Sequence, residues 1–303
     1  MKKKLIISVL AIMVIVSAIF ALSACNRSAS PQGQLSNFLI DHGKEYFEYD
    51  VNDGQGSIGT YKVTITIHQN GATINCPEAI ENVSKGILVE SELDVTKDGK
   101  HSVYQTGCYF NLVNGSSLMV PAHTYRIQSE DGNETFRMTG TYDGSTFRYD
   151  KKVGEDTTSG SLKLSGTYFD NNEFQQCLRA VSTFSTSFNM SFATPLVSLN
   201  ETAIVNLTAS CSKVVNVVNT PYTDSFEEYA TEGVACYKVQ LSRSTKVAGV
   251  AHILYYAKSN VKATNAPDSF TLQNVLIEFH EPLSTEGGET QYLVYKLKKA
   301  EIY

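Results

Sequence analysis

Thr135–Asp150 reads TFRMTGTYDGSTFRYD. Phe136 and Met138 alternate with Arg137 and Thr139, and beyond Asp143-Gly144 the aromatic residues Phe147 and Tyr149 alternate with Arg148 and Asp150. A period of two is the signature of a strand with one buried face. Asp-Gly reaches positive φ at little cost and suits a tight hairpin whose twist matches its strands. The stretch therefore predicts a β-hairpin. The same turn chemistry recurs at Asp98-Gly99, Asn114-Gly115 and Asp131-Gly132. These turns punctuate strand-forming runs over Ser102–Val113, Thr124–Ser129, Thr135–Tyr142, Ser145–Tyr149 and Ser161–Tyr168, which together predict an antiparallel meander.

Working outward toward the N-terminus, Leu35, Phe38, Leu39, His42, Tyr46 and Tyr49 recur at three- and four-residue spacing and predict an amphipathic helix over Ser36–Tyr49. Asp50–Gly59 breaks it. Tyr61, Val63, Ile65 and Ile67 then alternate with polar residues as a half-buried strand, Asn70-Gly71 turns, and Pro77–Lys85 has the Pro-first, Gly-after form of a short helix. Toward the C-terminus, Asp170-Asn171-Asn172-Glu173 reads as a capping box ahead of Phe174, Cys177, Leu178 and Val181, predicting a helix over Asn171–Thr183. Phe184, Phe188, Met190 and Phe192 mark a return to strand. Further strands are expected over Ala203–Ala209, Ser212–Val218, Ala235–Leu241, Val250–Ala257, Thr271–Phe279 and Gln291–Ile302, with one or two helical turns in Thr223–Ala230. Thr157–Gly160 and Pro282–Gly288 read as surface loops. The expected fold is mainly β (α+β): a large curved antiparallel sheet or half-barrel packed on two or three helices. Residues 35–303 read as one domain, with a subdivision near 195–202 as the alternative.

Several chemistries fail on spacing. Gly54-Gln55-Gly56-Ser57-Ile58-Gly59 matches the dinucleotide pattern, but its expected context, a helix before and a strand after, is the reverse of what a pyrophosphate needs. Asp50, Asn52 and Asp53 lack the glycine and the bidentate carboxylate of a calcium loop, so Asx-turn chemistry is the reading there. The six histidines are scattered without metal-ligand spacing, and neither a nucleophile elbow nor a P-loop is present. The chain reads as non-enzymatic, with no cofactor and no metal. Cys76, Cys108, Cys177, Cys211 and Cys236 are odd in number and sit among apolar neighbours. Buried thiols are the favoured reading, with Cys76–Cys108 or Cys211–Cys236 the pairs if a disulfide forms.

At the N-terminus, Lys2, Lys3 and Lys4 precede an apolar run over Leu5–Phe20, the form of a signal peptide. Leu22-Ser23-Ala24-Cys25 resembles the lipobox of bacterial lipoproteins. The resemblance implies removal of residues 1–24, a diacylglyceryl group on Cys25, and anchorage to the bacterial cell membrane on its extracytoplasmic side. Removing the three lysines leaves 22 basic against 31 acidic side chains, a balance of −9, which argues against nucleic acid and against docking on anionic lipid. Attachment then rests on the lipid, with residues 25–34 a flexible tether reaching about 30 Å.

The order of elements after the lipobox, and Thr141–Asp150 followed by Phe169-Asp170 and the Phe174–Val181 helix, is similar to the lipoprotein-carrier superfamily. That group contains outer-membrane lipoprotein carriers and mycobacterial lipoproteins that bind acylated molecules. The resemblance implies a curved, unclosed sheet around helices that holds a hydrophobic ligand. Phe136, Met138, Phe147, Tyr149, Phe184, Phe188 and Phe192 are the candidate lining for a lipid or other apolar ligand. The alternative is a protein- or cell-wall-interaction or sensor module with a solid core, its protein partner unknown.

Overall fold

The computed structural model describes residues 43–113, 118–172, 174–179, 184–243, 252–267, 271–286 and 289–303. The signal peptide, Cys25, the tether, most of the predicted Ser36–Tyr49 helix and the Asn114-Gly115 turn lie outside them.

Fourteen strands form one antiparallel sheet. From edge to edge it runs β10 (Asp156–Lys163), β9 (Thr146–Val153), β8 (Asn133–Asp143), β7 (Leu118–Glu130), β6 (Lys100–Val113), β5 (Gly86–Lys97), β2 (Ser57–His68) and β1 (Lys44–Asn52). It continues through β18 (Glu289–Ile302), β17 (Leu276–Glu286), β14 (His252–Ala257), β13 (Val234–Arg243), β12 (Thr202–Val217) and β11 (Asn189–Val197). The meander from β5 to β9 is the one the turn residues predict, whereas its last strand is β10 at Asp156–Lys163 and not Ser161–Tyr168. At the two tips Asp98-Gly99 and Asp131-Gly132 all four residues have positive φ, between 47° and 81°.

The sheet curls until its edges nearly meet, so it is a barrel-like sheet and not a half-barrel. Leaving β10, Leu164 N donates to Ser145 O at 2.7 Å, and the chain then lies along β11. Phe169 N donates to Ala193 O at 3.0 Å, and Ala193 N to Thr167 O at 2.8 Å. The rest of the seam is sealed by side chains: Phe136, Met138, Phe147, Leu164 and Tyr168 pack against Ala193 and Val197.

Through the packed part of the sheet the inward face is apolar, and the outward face carries ion pairs except where the β3–β4 hairpin covers an apolar patch. Phe47, Tyr49 and Val51 on β1, Val63 and Ile65 on β2, and Leu297 and Ala300 on β18 are fully buried in one cluster. Outside, Glu48 pairs with Lys298 at 2.9 Å and Lys62 with Glu92 at 3.3 Å. This is the reverse of a membrane-spanning barrel, whose outer band is apolar.

A hairpin of β3 (Ala72–Asn75) and β4 (Ala79–Val83) packs Ile74, Cys76 and Val83 on the outer residues Leu88, Tyr109 and Tyr125. A two-stranded ribbon, β15 (Val261–Lys262) and β16 (Thr271–Leu272), follows β14. The helices are short: α1 (Phe174–Leu178), then α2 (Pro221–Asp224) and α3 (Glu227–Glu232) between β12 and β13. Thr220 caps α2 with a reciprocal bond from Thr223.

Several expectations are corrected. Residues 44–49 of the Ser36–Tyr49 helix are strand: pairing with β2 and β18 on both sides imposes period two, and Phe47, Tyr49 and Val51 take the inward positions. Pro77–Lys85 is no helix but the tip and second strand of the β3–β4 hairpin, where the backbone pairs with residues 72–75. Thr157–Gly160 pairs with β9 as edge strand β10. Pro282 lies within β17 at an irregularity next to Ser284, a place where a strand tolerates proline. The helix of Asn171–Thr183 is α1 alone among the described residues; Glu173 and residues 180–183 lie outside them. The strands expected at Ala203–Ala209 and Ser212–Val218 are one strand, β12, bulged between Cys211 and Lys213. Gly54–Gly56 joins β1 to β2, which already includes Ser57–Gly59, and Asp53 Oδ1 accepts from Gln55 N at 3.0 Å in an Asx turn. The five cysteines of the body are buried thiols.

Candidate functional site

The segment between β10 and β11 passes through the barrel. Because it lies inside the sheet, α1 with its flank buries Phe174, Gln176, Cys177, Leu178 and Arg179. Hydrogen bonds fasten this plug to the walls. The Arg179 guanidinium, 1 % exposed, pairs with Glu45 at 3.0 Å, donates to Gln273 O at 3.1 Å and lies 4.4 Å from the Phe47 ring centre. Tyr256 Oη donates to Gln175 O at 2.6 Å. On the facing wall, Tyr142 Oη donates to Asp170 Oδ2 at 2.6 Å, Asn172 Nδ2 to Thr124 Oγ1 at 3.0 Å, and Arg126 Nε to Asn172 Oδ1 at 2.9 Å. Burial raises the Asp170 carboxyl above its usual range.

The plug divides the lumen. On one side the inward residues pack solidly. On the other, toward the hairpin tips Asp98-Gly99 and Asp131-Gly132, lies a hollow of about 870 Å³. That volume is within the range of single-ligand sites, ~300–1,000 Å³. Asn171, Asn172, Phe174 and Gln175 form its floor. Register places its walls: Leu93 faces Tyr104 across β5 and β6, Thr106 faces Arg126 across β6 and β7, and Phe279 faces Tyr295 across β17 and β18. The Phe279 and Tyr295 rings stack at 3.9 Å, and the Tyr61 ring stands edge-on to both at 5.7 and 5.5 Å.

The polar lining is uneven. Lys97, Lys100, Arg126 and Arg243 face it, against Asp98 and Glu281. Lys97 pairs with Asp53 at 3.2 Å, and Tyr295 Oη donates to Glu281 at 2.7 Å. Two lining residues hold buried polar atoms that make no hydrogen bond among the described residues, His252 Nδ1 and Gln175 Oε1. Burial holds the His252 imidazole below its ordinary pKa, with Glu281 opposing and Arg243 reinforcing the shift.

A second hollow, about 760 Å³, lies outside the barrel between the β3–β4 hairpin and the outer faces of β7 to β10. Arg148, Asp150, Ser159 and Ser161 line it, with Ser159 Oγ donating to Asp150 at 2.5 Å.

The seven predicted lining residues do not form one site. Phe136, Met138 and Phe147 seal the seam and are buried there. Tyr149 packs beside them and edges the outer hollow. Phe192 packs under the plug, against Phe169 at 5.1 Å and Phe174 at 6.2 Å. Phe184 and Phe188 contact one another at 5.0 Å, and Phe184 stacks on Tyr256 at 5.1 Å. None of the seven lines the lumen hollow. The residues that do, such as Tyr61, Tyr104, Phe279 and Tyr295, are missed by counting aromatics. Their signal is polar residues at inward positions, as in Ser102, Tyr104 and Thr106 ahead of Cys108 and Phe110 on β6.

No protein-family model matches the chain, and no curated protein matches it. Among solved structures it is similar to a crystal structure of a beta-barrel-like protein of domain of unknown function DUF1849 from Brucella abortus. The two share 11 % identity with a TM-score of 0.47, over 87 % of this chain and 99 % of that one.

Proposed function

We propose that the protein is a non-enzymatic lipoprotein, anchored through a diacylglyceryl group on Cys25 to the outer side of a bacterial cell membrane, whose barrel holds one hydrophobic or amphipathic molecule. The observation that carries the ligand reading is the lumen hollow of about 870 Å³, enclosed by an aromatic wall and floored by the fastened plug. A charged exterior with an apolar interior suits a water-facing carrier. The anchor rests on the signal peptide and on Leu22-Ser23-Ala24-Cys25.

The anchor bears on orientation. β1 begins at the end of the barrel opposite the hollow's hairpin tips, so the chain enters at the closed end. Residues 26–42 span at most about 60 Å when extended, enough for the body to present its mouth either outward or back toward the lipid.

Two measurements test the proposal. Cys25→Ser is expected to move the protein out of the membrane fraction and abolish acyl labelling; retained labelling overturns the anchor. Soluble protein lacking residues 1–25, extracted with organic solvent and analysed by mass spectrometry, is expected to release a stoichiometric apolar molecule or to take one up. A preparation that neither releases nor takes up any such molecule overturns the ligand reading in favour of an interaction module.

A further inference from the structure

The lining of the lumen hollow has more cationic than acidic side chains. Four cationic side chains line it against two carboxylates, in a protein with an overall acidic balance. Lys97 is already paired with Asp53 at 3.2 Å, Asp98 and Lys100 share the exposed hairpin tip, and Arg126 is held by Asn172, which leaves Arg243 as the cation on the β13 side of the mouth, with Glu281 the carboxylate of the β17 wall. Arg243 is the exposed last residue of β13, at the rim of the hollow, and no ion pair to it is found among the described residues. Register sets it beside an inward polar group: Leu241 faces His252 across β13 and β14, and Arg243 lies two positions further on the same face, toward the mouth. His252 Nδ1 is buried without a hydrogen bond, as is Gln175 Oε1 on the floor below. A buried polar atom without a partner is costly, so such atoms mark where a ligand's polar end completes the structure.

We propose that the hollow takes a single-chain amphiphile with an anionic head, its chain along Tyr61, Phe279 and Tyr295 and its head meeting Arg243 and His252. The guanidinium fork matches a carboxylate or a phosphate, and both heads belong to the class. The inference rests on the ligand reading above and names the chemistry of that ligand.

The test uses membranes bearing the full chain, photolabelled with diazirine-tagged palmitate, lysophosphatidate or the neutral hexadecanol, and the labelled peptides are mapped by mass spectrometry. The expected result is labelling of β17 and β18 peptides by both anionic probes about tenfold above the alcohol, a ratio in the range of one charge-assisted hydrogen bond. Palmitate alone or lysophosphatidate alone above the alcohol identifies which head is used, and either supports the proposal. In Arg243→Gln, labelling by acid is expected to fall to the level of the alcohol while alcohol labelling is unchanged. Equal labelling of lumen peptides by acid and alcohol overturns the anionic head and leaves the ligand reading standing. Labelling by none of the three in lumen peptides overturns both. Displacement by inorganic phosphate alone, with no effect of chain length, overturns the amphiphile in favour of a simple anion site.

Discussion

One strand passes through both halves of the lumen. The inward residues of β6 are Ser102, Tyr104 and Thr106 where it borders the hollow, then Cys108 and Phe110 where the interior is filled. On β5 the same division separates Ser91, Leu93 and Val95 from Ile87 and Val89. In the packed half these side chains are excluded from solvent, and in the hollow half all but Thr106 are partly open. Alternation is identical throughout. What changes is whether a plug residue fills the space opposite, and the plug comes from residues 170–172 and 174–179, some sixty positions along the chain. Hydroxyls are tolerated on the hollow side because water or a ligand can satisfy them, whereas a polar group on the packed side needs a protein partner, as Glu45 has in Arg179 and Tyr256 in Gln175 O.

The largest expected effect attacks the plug. Arg179→Ala leaves Glu45 buried without its charge partner and is expected to cost about 3–5 kcal/mol by urea denaturation. The double variant Glu45→Leu/Arg179→Met should recover most of it; a double variant as unstable as the single would show that the pair's charge is not the issue. Next come truncations on β6. Phe110→Ala is expected to cost about 3–4 kcal/mol, and Tyr104→Ala about 1 kcal/mol or less, because only the first opens a cavity in packed surroundings. Equal costs would mean the hollow is closed in solution.

Enlargement should show the converse at smaller amplitude. Val89→Phe is expected to cost about 1–3 kcal/mol through overpacking. Ser102→Trp should change stability by less than about 0.5 kcal/mol while abolishing uptake of an apolar probe. The smallest effect is in pH. Burial lowers the pKa of His68, His123 and His252 below the ordinary 6.5. The folded state then binds fewer protons than the unfolded one, so their contribution is fully present above pH 6.5 and is lost as pH falls from there toward the folded pKa values. The urea midpoint of wild type should drop between pH 7.5 and 5.5, and His252→Gln should flatten that drop; an unchanged slope would remove His252 from the account.

Much of the fold was legible. Asp98-Gly99, Asp131-Gly132 and Asp143-Gly144 announced their hairpins because positive φ, adopted at Asp98, Gly99, Asp131, Gly132 and Gly144, is a local property of such residues. The errors fell where local and tertiary preferences disagree. Residues 44–49 carry both a helical and an alternating pattern, and pairing with β2 and β18 selects the latter. Phe136, Met138 and Phe147 looked like a ligand wall and are seam packing, because two sheet edges far apart in sequence meet there.

The sequence by itself determined the antiparallel order of β5 to β9 and which face of most strands is apolar, since both follow from short-range backbone preference and from period two. Only the tertiary structure decided that the sheet nearly closes, that residues 170–172 and 174–179 run through it, and that one side of the interior stays open. Those outcomes depend on which distant surfaces share a space. A phenylalanine facing inward has the same periodicity whether the atoms opposite are a plug or nothing.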